Sequence, residues 1–325
     1  MKVASFRNRS GRVVVGAVSG DGRHVTDLSA VAALHGKDAS NFVSMLALIE
    51  AGDRALDDAR RLLQLDAGDA KQELSSVTLL APLPRPPQIR DFMTFPKHIT
   101  QSAVGAKKLA ARLAGQPAGE VPEGAIPEIF VDIPVYYIQN RFSVIGPDQE
   151  IRWPQYSRYA DFELELAAVI GKRALNVGKA EAGNHIFGFT IFNDFSARDQ
   201  QMKEMGGNLG PTKGKSFDGG NALGPWIVTR DELINPYGQE TEARVNGEVW
   251  SRGTTSGMLH SFEDIIAYVS RDETLHPGEV LGSGTVGSGC GLELDRYLGD
   301  GDLVELTISG IGTLANRVRI PHLLA

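Results

Sequence analysis

The stretch DFELELAAVIGK, residues 161 to 172, limits what this chain can fold into more than any other. Successive side chains of a strand point to opposite faces. Read as a strand, it puts Asp161, Glu163 and Glu165 on one face and Phe162, Leu164 and Leu166 on the other. The apolar face, continued by the run Leu166 to Ile170, needs a large core behind it. Gly171 and Lys172 end the run. Two glutamates two residues apart in a strand are about 6.5–7 Å apart at Cα, near enough for both carboxylates to reach one cation. Buried without compensation, they would repel and raise one another's pKa. The same pattern fits a solvated sheet edge with an acidic outer face. The rest of the chain has to decide between the two.

At 325 residues the chain suits one large domain plus a small one. We expect a small β-rich N-terminal domain over residues 1–85 and a catalytic domain over 86–325. Apolar residues make up 42% and charged residues 22%, an ordinary balance for a globular protein that can bury a sizeable core. A net charge of −7 argues against nucleic acid and against an anionic membrane as partners. One cysteine, Cys290, excludes an intrachain disulfide and a thiolate metal cluster, and fits a reducing compartment. No run approaches ~20 apolar residues. The opening MKVASFRNRSGRVVVGAV has no signal-peptide apolar region. We therefore expect a cytoplasmic protein.

Three short strands are expected within the first 30 residues, MKVASFR, RVVVGAVS and RHVTDLS, with turns at Arg9–Gly11 and Gly20–Gly22. Helical spacing covers residues 40–66 and breaks at Ala51-Gly52-Asp53. A strand, SSVTLLAP, leads into four prolines between 82 and 87, where we place the domain boundary. Ile89–Phe92 reads as a strand end, and a helix is expected from Lys97 to Leu113. The Gly/Pro-rich run after it reads as a surface loop, and IFVDIPVYYIQNRFSVIG as extended. Beyond the acidic strand, Ile186–Phe192 reads as a buried strand, and Ser196 as the N-cap of a polar helix. Asn246-Gly247 signals a hairpin. Ser261 with Asp264 opens a helix, and LELDRYL and LVELTIS read as strands about a Gly-Asp turn. The whole is mixed α+β and strand-dominated.

Gly282, Gly284 and Gly287 fit G-x-G-x-x-G, but a dinucleotide site needs a helix opening at the third glycine. Ser288-Gly289-Cys290-Gly291 opens a helix poorly, so these glycines are read as allowing close backbone approach. Asp194 ends an apolar strand beside a polar helix. With Asp91, Glu163 and Glu165 it makes an all-oxygen acid set. Such a set suits Mg²⁺, Mn²⁺ or Ca²⁺, whereas zinc would want histidine or cysteine in it.

Seven motifs then occur in order: RDFMTFPKH at 90 to 98, PVYY at 134 to 137, DFELELAAVIGK at 161 to 172, FNDFSARDQQ at 192 to 201, GPTKGKSF at 210 to 217, GSGT at 282 to 285 and GLEL at 291 to 294. Together they give the chain, over about residues 80 to 320, a resemblance to the fumarylacetoacetate hydrolase family. The resemblance implies a mixed β-roll catalytic domain behind the small N-terminal domain, as a homodimer. It implies Asp91, Glu163, Glu165 and Asp194 as ligands of a divalent cation, Mg²⁺ first, with Mn²⁺ or Ca²⁺ as alternatives. It implies His98 as general base, oriented by Glu293. Arg198, Gln201, Lys215, Tyr137 and Thr285 would contact substrate, with Lys215 and Arg198 neutralising developing negative charge.

The chemistry so implied is hydrolysis of a carbon–carbon bond in a 2,4-dioxo acid, leaving an enolate whose charge the cation holds. An imidazole can take a proton from water near neutral pH, and a carboxylate behind it stabilises the charged ring. Met93, Lys107 and Met205 depart from the family members that cleave fumarylacetoacetate. An acylpyruvate-like substrate is therefore expected rather than fumarylacetoacetate itself. Two other readings stand beside this one: an isomerase, decarboxylase or hydratase of 2-oxo dioic acids, and a non-catalytic protein whose metal is structural.

Overall fold

The computed structural model describes residues 1–323, and the last two residues of the expected 86–325 unit lie outside the described residues. Its centre follows from the two most apolar runs. Leu164–Ile170 and Ile186–Asp194 pair antiparallel, and every residue of both strands is buried. Alternation in the first sends Leu164, Leu166, Ala168 and Ile170 into one core, and Ala167 and Val169 into another. The acidic strand is thus a central strand covered on both faces, and the solvated-edge reading falls away.

The main sheet runs, in spatial order, Lys71–Glu73, His24–Asp27, Val13–Val18, Lys2–Arg7, Asn221–Thr229, Ile186–Asp194, Leu164–Ile170, Val280–Gly282, Ile89–Phe92 and Tyr136–Ile138. Most pairs are antiparallel; Val280–Gly282 and Ile89–Phe92 run parallel. A second sheet, Glu248–Thr254, Glu240–Val245, Leu303–Ile308, Gly312–Arg319 and Glu150–Arg152, lies over one face. Its Val304, Leu306, Ile308 and Leu314 share a core with Phe189, Val228 and Trp226. The helices Leu28–Leu34 and Met45–Leu62 cover the other face, where Leu48, Ile49 and Leu56 pack on Phe187, Phe192 and Ile227. The fold is a strand-rich mixed α/β roll.

Residues 1–85 do not form a separate hydrogen-bond network. Lys2 and Val3 pair with Val228 and Ile227, so the first strands extend the sheet of the remainder. The apolar β-edge of Asn221–Thr229 would otherwise be open to other chains.

Several local readings hold. The helix over Met45–Leu62 is interrupted at Gly52, whose φ is +67°. Asn246 and Gly247 both take positive φ in a two-residue hairpin loop. Ser261 and Asp264 form a reciprocal capping box.

Others do not. The acidic strand is broken: Ala160–Asp161 pairs with Ser196–Ala197, and Glu163 makes only an isolated bridge to Cys290 before the long strand begins at Leu164. Ser196 is therefore a strand residue and not a cap; its hydroxyl donates to the Asp194 carbonyl at 3.0 Å. Gly291–Leu294 is a short helix, stopped by Asp295 at φ +52°, where a strand was expected. Glu128–Asp132 is likewise a short helix. In each case a single turn or bridge overrides local apolar patterning. Among the described residues, no helix is long and apolar enough to cross a membrane.

Candidate active site

The site forms where strand ends meet around a glycine. Gly282 lies opposite Asp91 on one neighbouring strand and opposite Ala167 on the other. A Cβ at Gly282 would stand 2.7 Å from both Asp91 Oδ1 and Glu165 Oε2. Only glycine lets those two carboxylates approach across the strand between them. Asp194 ends its strand beside Glu163, and its N–H donates to the Glu163 carbonyl at 3.3 Å. Asp91, Glu163, Glu165 and Asp194 are all buried and offer carboxylate oxygens within 4.8 Å of one another.

Their partners leave the cage short of positive charge. Lys215 Nζ donates to Glu163 Oε2 at 2.6 Å and to Asp194 Oδ2 at 2.5 Å. Arg198 Nη2 lies 2.7 Å from Glu163 Oε1. Four carboxylates thus face two cations, and a divalent ion would close the difference. Asp91 Oδ1, Glu165 Oε1 and Asp194 Oδ1 are buried and lack any hydrogen-bond partner, as donors awaiting a cation would. Oxygen donors alone fit a hard ion, and the set fits that requirement.

The titration of the cage follows. Burial, then the neighbouring Asp91 charge, raises Glu165 well above the usual carboxylate range. Burial also raises Asp194 well above that range, and Lys215 only partly opposes it. For Glu163 burial acts upward too, but Lys215 and then Arg198 outweigh it and hold the group below its usual range. Tyr137 donates to Asp91 Oδ2 at 2.7 Å and contacts Asp194 Oδ2. Burial and those acids push its hydroxyl up, so it stays protonated. One phenol hydrogen cannot serve two carboxylates at once, so Tyr137 donates fully to only one of them.

Arg198 does not face the cavity. Its Nε donates to Asp161 Oδ2 at 2.7 Å and its Nη1 to Gln201 Oε1 at 2.9 Å. It lies behind Glu163 and does not line the cavity, although the sequence reading expected it to contact substrate. Asp161 turns away from Glu163 and Glu165. It accepts from the N–H groups of Gly291 at 2.6 Å and Leu292 at 2.9 Å, because the strand breaks after it. Tyr137 is likewise engaged with the acids.

His98 sits in the first turn of the helix Pro96–Leu113. Its Nδ1 faces Glu293 Oε1 at 3.3 Å, off the hydrogen-bond line, and neither atom has another partner. Glu293 Oε2 accepts from the Cys290 N–H at 3.2 Å, which fixes the carboxylate. His98 lines the same cavity, of about 370 Å³, as Asp91, Glu163, Glu165, Lys215, Tyr137, Gln201 and Thr285. Thr285 Oγ1 is buried there without a partner. The sequence reading missed Gln139, whose Nε2 donates to the Tyr137 hydroxyl at 3.0 Å, and Asn193, whose Oδ1 accepts from the Glu163 N–H at 3.0 Å. Asn193 sat in a quoted motif; Gln139 carried no signal.

The buried carboxylate cage and the histidine–glutamate pair open on one cavity of a strand-rich roll. The chain belongs to the fumarylacetoacetate hydrolase family: residues 98–319 match the family description "Fumarylacetoacetate (FAA) hydrolase C-terminal". It is 32% identical over 306 residues to the human mitochondrial oxaloacetate tautomerase FAHD2A, covering 94% of this chain and 87% of that protein. It is 30% identical over 282 residues to the oxaloacetate tautomerase YisK of Bacillus subtilis, covering 85% and 86%. Among solved structures, a fumarylacetoacetate hydrolase from Exiguobacterium antarcticum superposes with a TM-score of 0.72 at 29% identity, covering 98% and 99%.

Proposed function

We propose that this protein tautomerises a 2-oxo acid between its enol and keto forms, with a divalent cation held by Asp91, Glu163, Glu165 and Asp194. The observation that carries the reading is that His98, backed by buried Glu293, opens on the same cavity as the carboxylate cage. The oxaloacetate tautomerases at 32% and 30% identity support it. A divalent cation bound there would neutralise negative charge developing on the 2-oxo acid oxygens. Mg²⁺ is our first choice, with Mn²⁺ and Ca²⁺ meeting the same donors.

The chain's own residues do the rest. With Nδ1 turned to Glu293, His98 has Nε2 for the substrate and moves a proton to or from the carbon beside the carbonyl. Glu293 holds the ring in place. Lys215 holds Glu163 ionised and opposes the burial that raises Asp194. Arg198 fixes Glu163, and its bond to Gln201 Oε1 leaves the Gln201 amide N–H₂ to donate to substrate. Thr285 Oγ1 is free for the same purpose.

A second reading is carbon–carbon hydrolysis of a 2,4-dioxo acid. It is favoured by Glu293, because an imidazole with a carboxylate behind it can equally take a proton from water. The hydrolase from Exiguobacterium supports it. We keep a homodimer as part of the proposal, to be read by light scattering. The deciding assay follows loss of enol absorbance and release of cleavage products together, with Mg²⁺ and with chelator. Enol loss without cleavage supports tautomerisation; cleavage products move the assignment to hydrolysis. His98→Ala should lower either rate by about 10²–10⁴-fold while leaving cation binding intact. An unchanged rate rejects His98 as the base.

A further inference from the structure

The cavity is charged at one end only. Its acids, His98 and Lys215 all gather at the cage, whereas the rest of the wall is uncharged: Phe92, Met93, Phe130, Val135, Met205 and Leu209 supply apolar surface, and Tyr136, Tyr137, Gln201, Asn208 and Thr285 supply neutral polar groups. We propose that the substrate's arm beyond its 2-oxo acid end is apolar and uncharged, and that Met93, Met205 and Leu209 select it against an arm ending in a carboxylate. This rests on the proposed function and goes further, to the class of 2-oxo acid: the enol–keto chemistry is kept, and the substrate differs from oxaloacetate, which ends in a second carboxylate.

The argument is an inventory of cations. Among the described residues Lys215 is the only lysine or arginine lining the cavity, and Glu163 and Asp194 already hold it. Arg198 is buried behind the cage and committed to Asp161, Glu163 and Gln201. Lys213, the next basic residue along, stacks its ammonium on Tyr156 at 4.9 Å from the ring centre and does not line the cavity. A terminal carboxylate in the arm would lose hydration and gain no partner.

The segment over residues 114–128 offers no rescue. It contains Glu120, Glu123 and Glu128 and no lysine, arginine or histidine. Were it to fold over the mouth, it would add negative charge. The mouth itself carries uncovered apolar side chains: Met205 is 52% exposed and Leu209 89%. An apolar arm lying along them removes that surface from water, and a charged arm does not. Asn208, Tyr136 and Gln201 are polar side chains of the wall, and all three are neutral.

The test uses the Mg²⁺-loaded protein and two matched sets of 2,4-dioxo acids. One set ends in alkyl chains of one to four carbons or in phenyl. The other ends in a carboxylate at the same lengths. Enol loss and cleavage are both read. We expect kcat/KM to rise about fourfold per added methylene, and the carboxylate-ended acids to be at least about tenfold poorer than their alkyl counterparts. Leu209→Arg, at an exposed position that should not disturb folding, should erase or invert that ratio. A wild-type preference for carboxylate-ended acids, or a ratio unmoved in both Leu209→Arg and Met205→Arg, overturns the inference.

Binding of the same sets to His98→Ala with Mg²⁺, read by thermal shift, makes the comparison without turnover. Larger shifts for alkyl arms, together with no turnover by wild type, would sink the proposed function alone. A flat or inverted ranking there overturns the arm selectivity.

Discussion

Arg90 and Asp91 are neighbours in one strand, and alternation sends them to opposite faces with opposite outcomes. Arg90 is buried between Glu279, which is itself buried, and the half-exposed Glu273. The second oxygen of Glu279 accepts from the His276 N–H at 2.9 Å, and the arginine also lies over the Tyr136 ring. Only its Nε lacks a partner. Asp91 joins three other buried carboxylates that share two side-chain cations and leave three oxygens unpartnered. One cluster is closed within the chain; the other keeps oxygens to spare that a cation could take. Buried charge alone does not separate a structural cluster from a functional one. The balance of charge and the count of orphaned donors do.

Substitutions on the two faces should therefore fail differently. Asp91→Asn should remove divalent-cation binding and lower turnover by more than about 10³-fold, since several kcal/mol of charge stabilisation go with the ion. The cation-free protein should melt no lower than wild type, because one repelling charge has gone. A marked drop in its melting temperature would place Asp91 with the structural charges. Arg90→Met should do the reverse. It leaves Glu279 buried and unpaired, at a cost of about 3–5 kcal/mol in chemical denaturation, with turnover per folded molecule near wild type. Lost turnover in a stable Arg90→Met protein would erase the contrast.

Asp161→Asn probes the layer between. It weakens the hold on Arg198 and, through it, on Glu163. Calorimetric titration should show cation affinity falling about 10–100-fold. An unchanged affinity would mean that Arg198 positions nothing.

The smallest effect is on pH. Glu165 and Asp194 titrate above the usual range when folded, first through burial and then through their acidic neighbours. The folded, cation-free protein therefore holds protons that the unfolded chain releases above about pH 4. The stability from these two groups is present at low pH and is lost as pH rises toward their folded values. Glu163, depressed, runs the other way: its contribution is present above its unfolded pKa and flat through neutrality. Thermal melts from pH 5 to 8 with chelator should show wild type losing more stability than Glu165→Gln. The increment that Mg²⁺ restores should grow with pH. Parallel curves for the two proteins would argue against a protonated Glu165.

The family motifs and the spacing of Glu163 and Glu165 were enough to name the four cage acids, the histidine and its glutamate. Local chemistry also marked the Gly52 break, the Asn246-Gly247 turn and the Ser261 cap, because each is set by residues within a few positions of one another. What sequence could not decide was direction. Asp161 shares the alternation of Glu163 and Glu165 yet serves Arg198 and a helix start, because the strand breaks at Phe162 to bridge a segment 130 residues away. Arg198, Lys215 and Tyr137 read as substrate contacts, and only packing showed that they are engaged with the acids. The role of Gly282 as the gap through which Asp91 meets Glu165 depends on three strands lying in register. The sequence determined which residues gather in the cage; the tertiary structure decided that they are buried and which of them are satisfied, because a buried group's partners come from elements far apart in the chain.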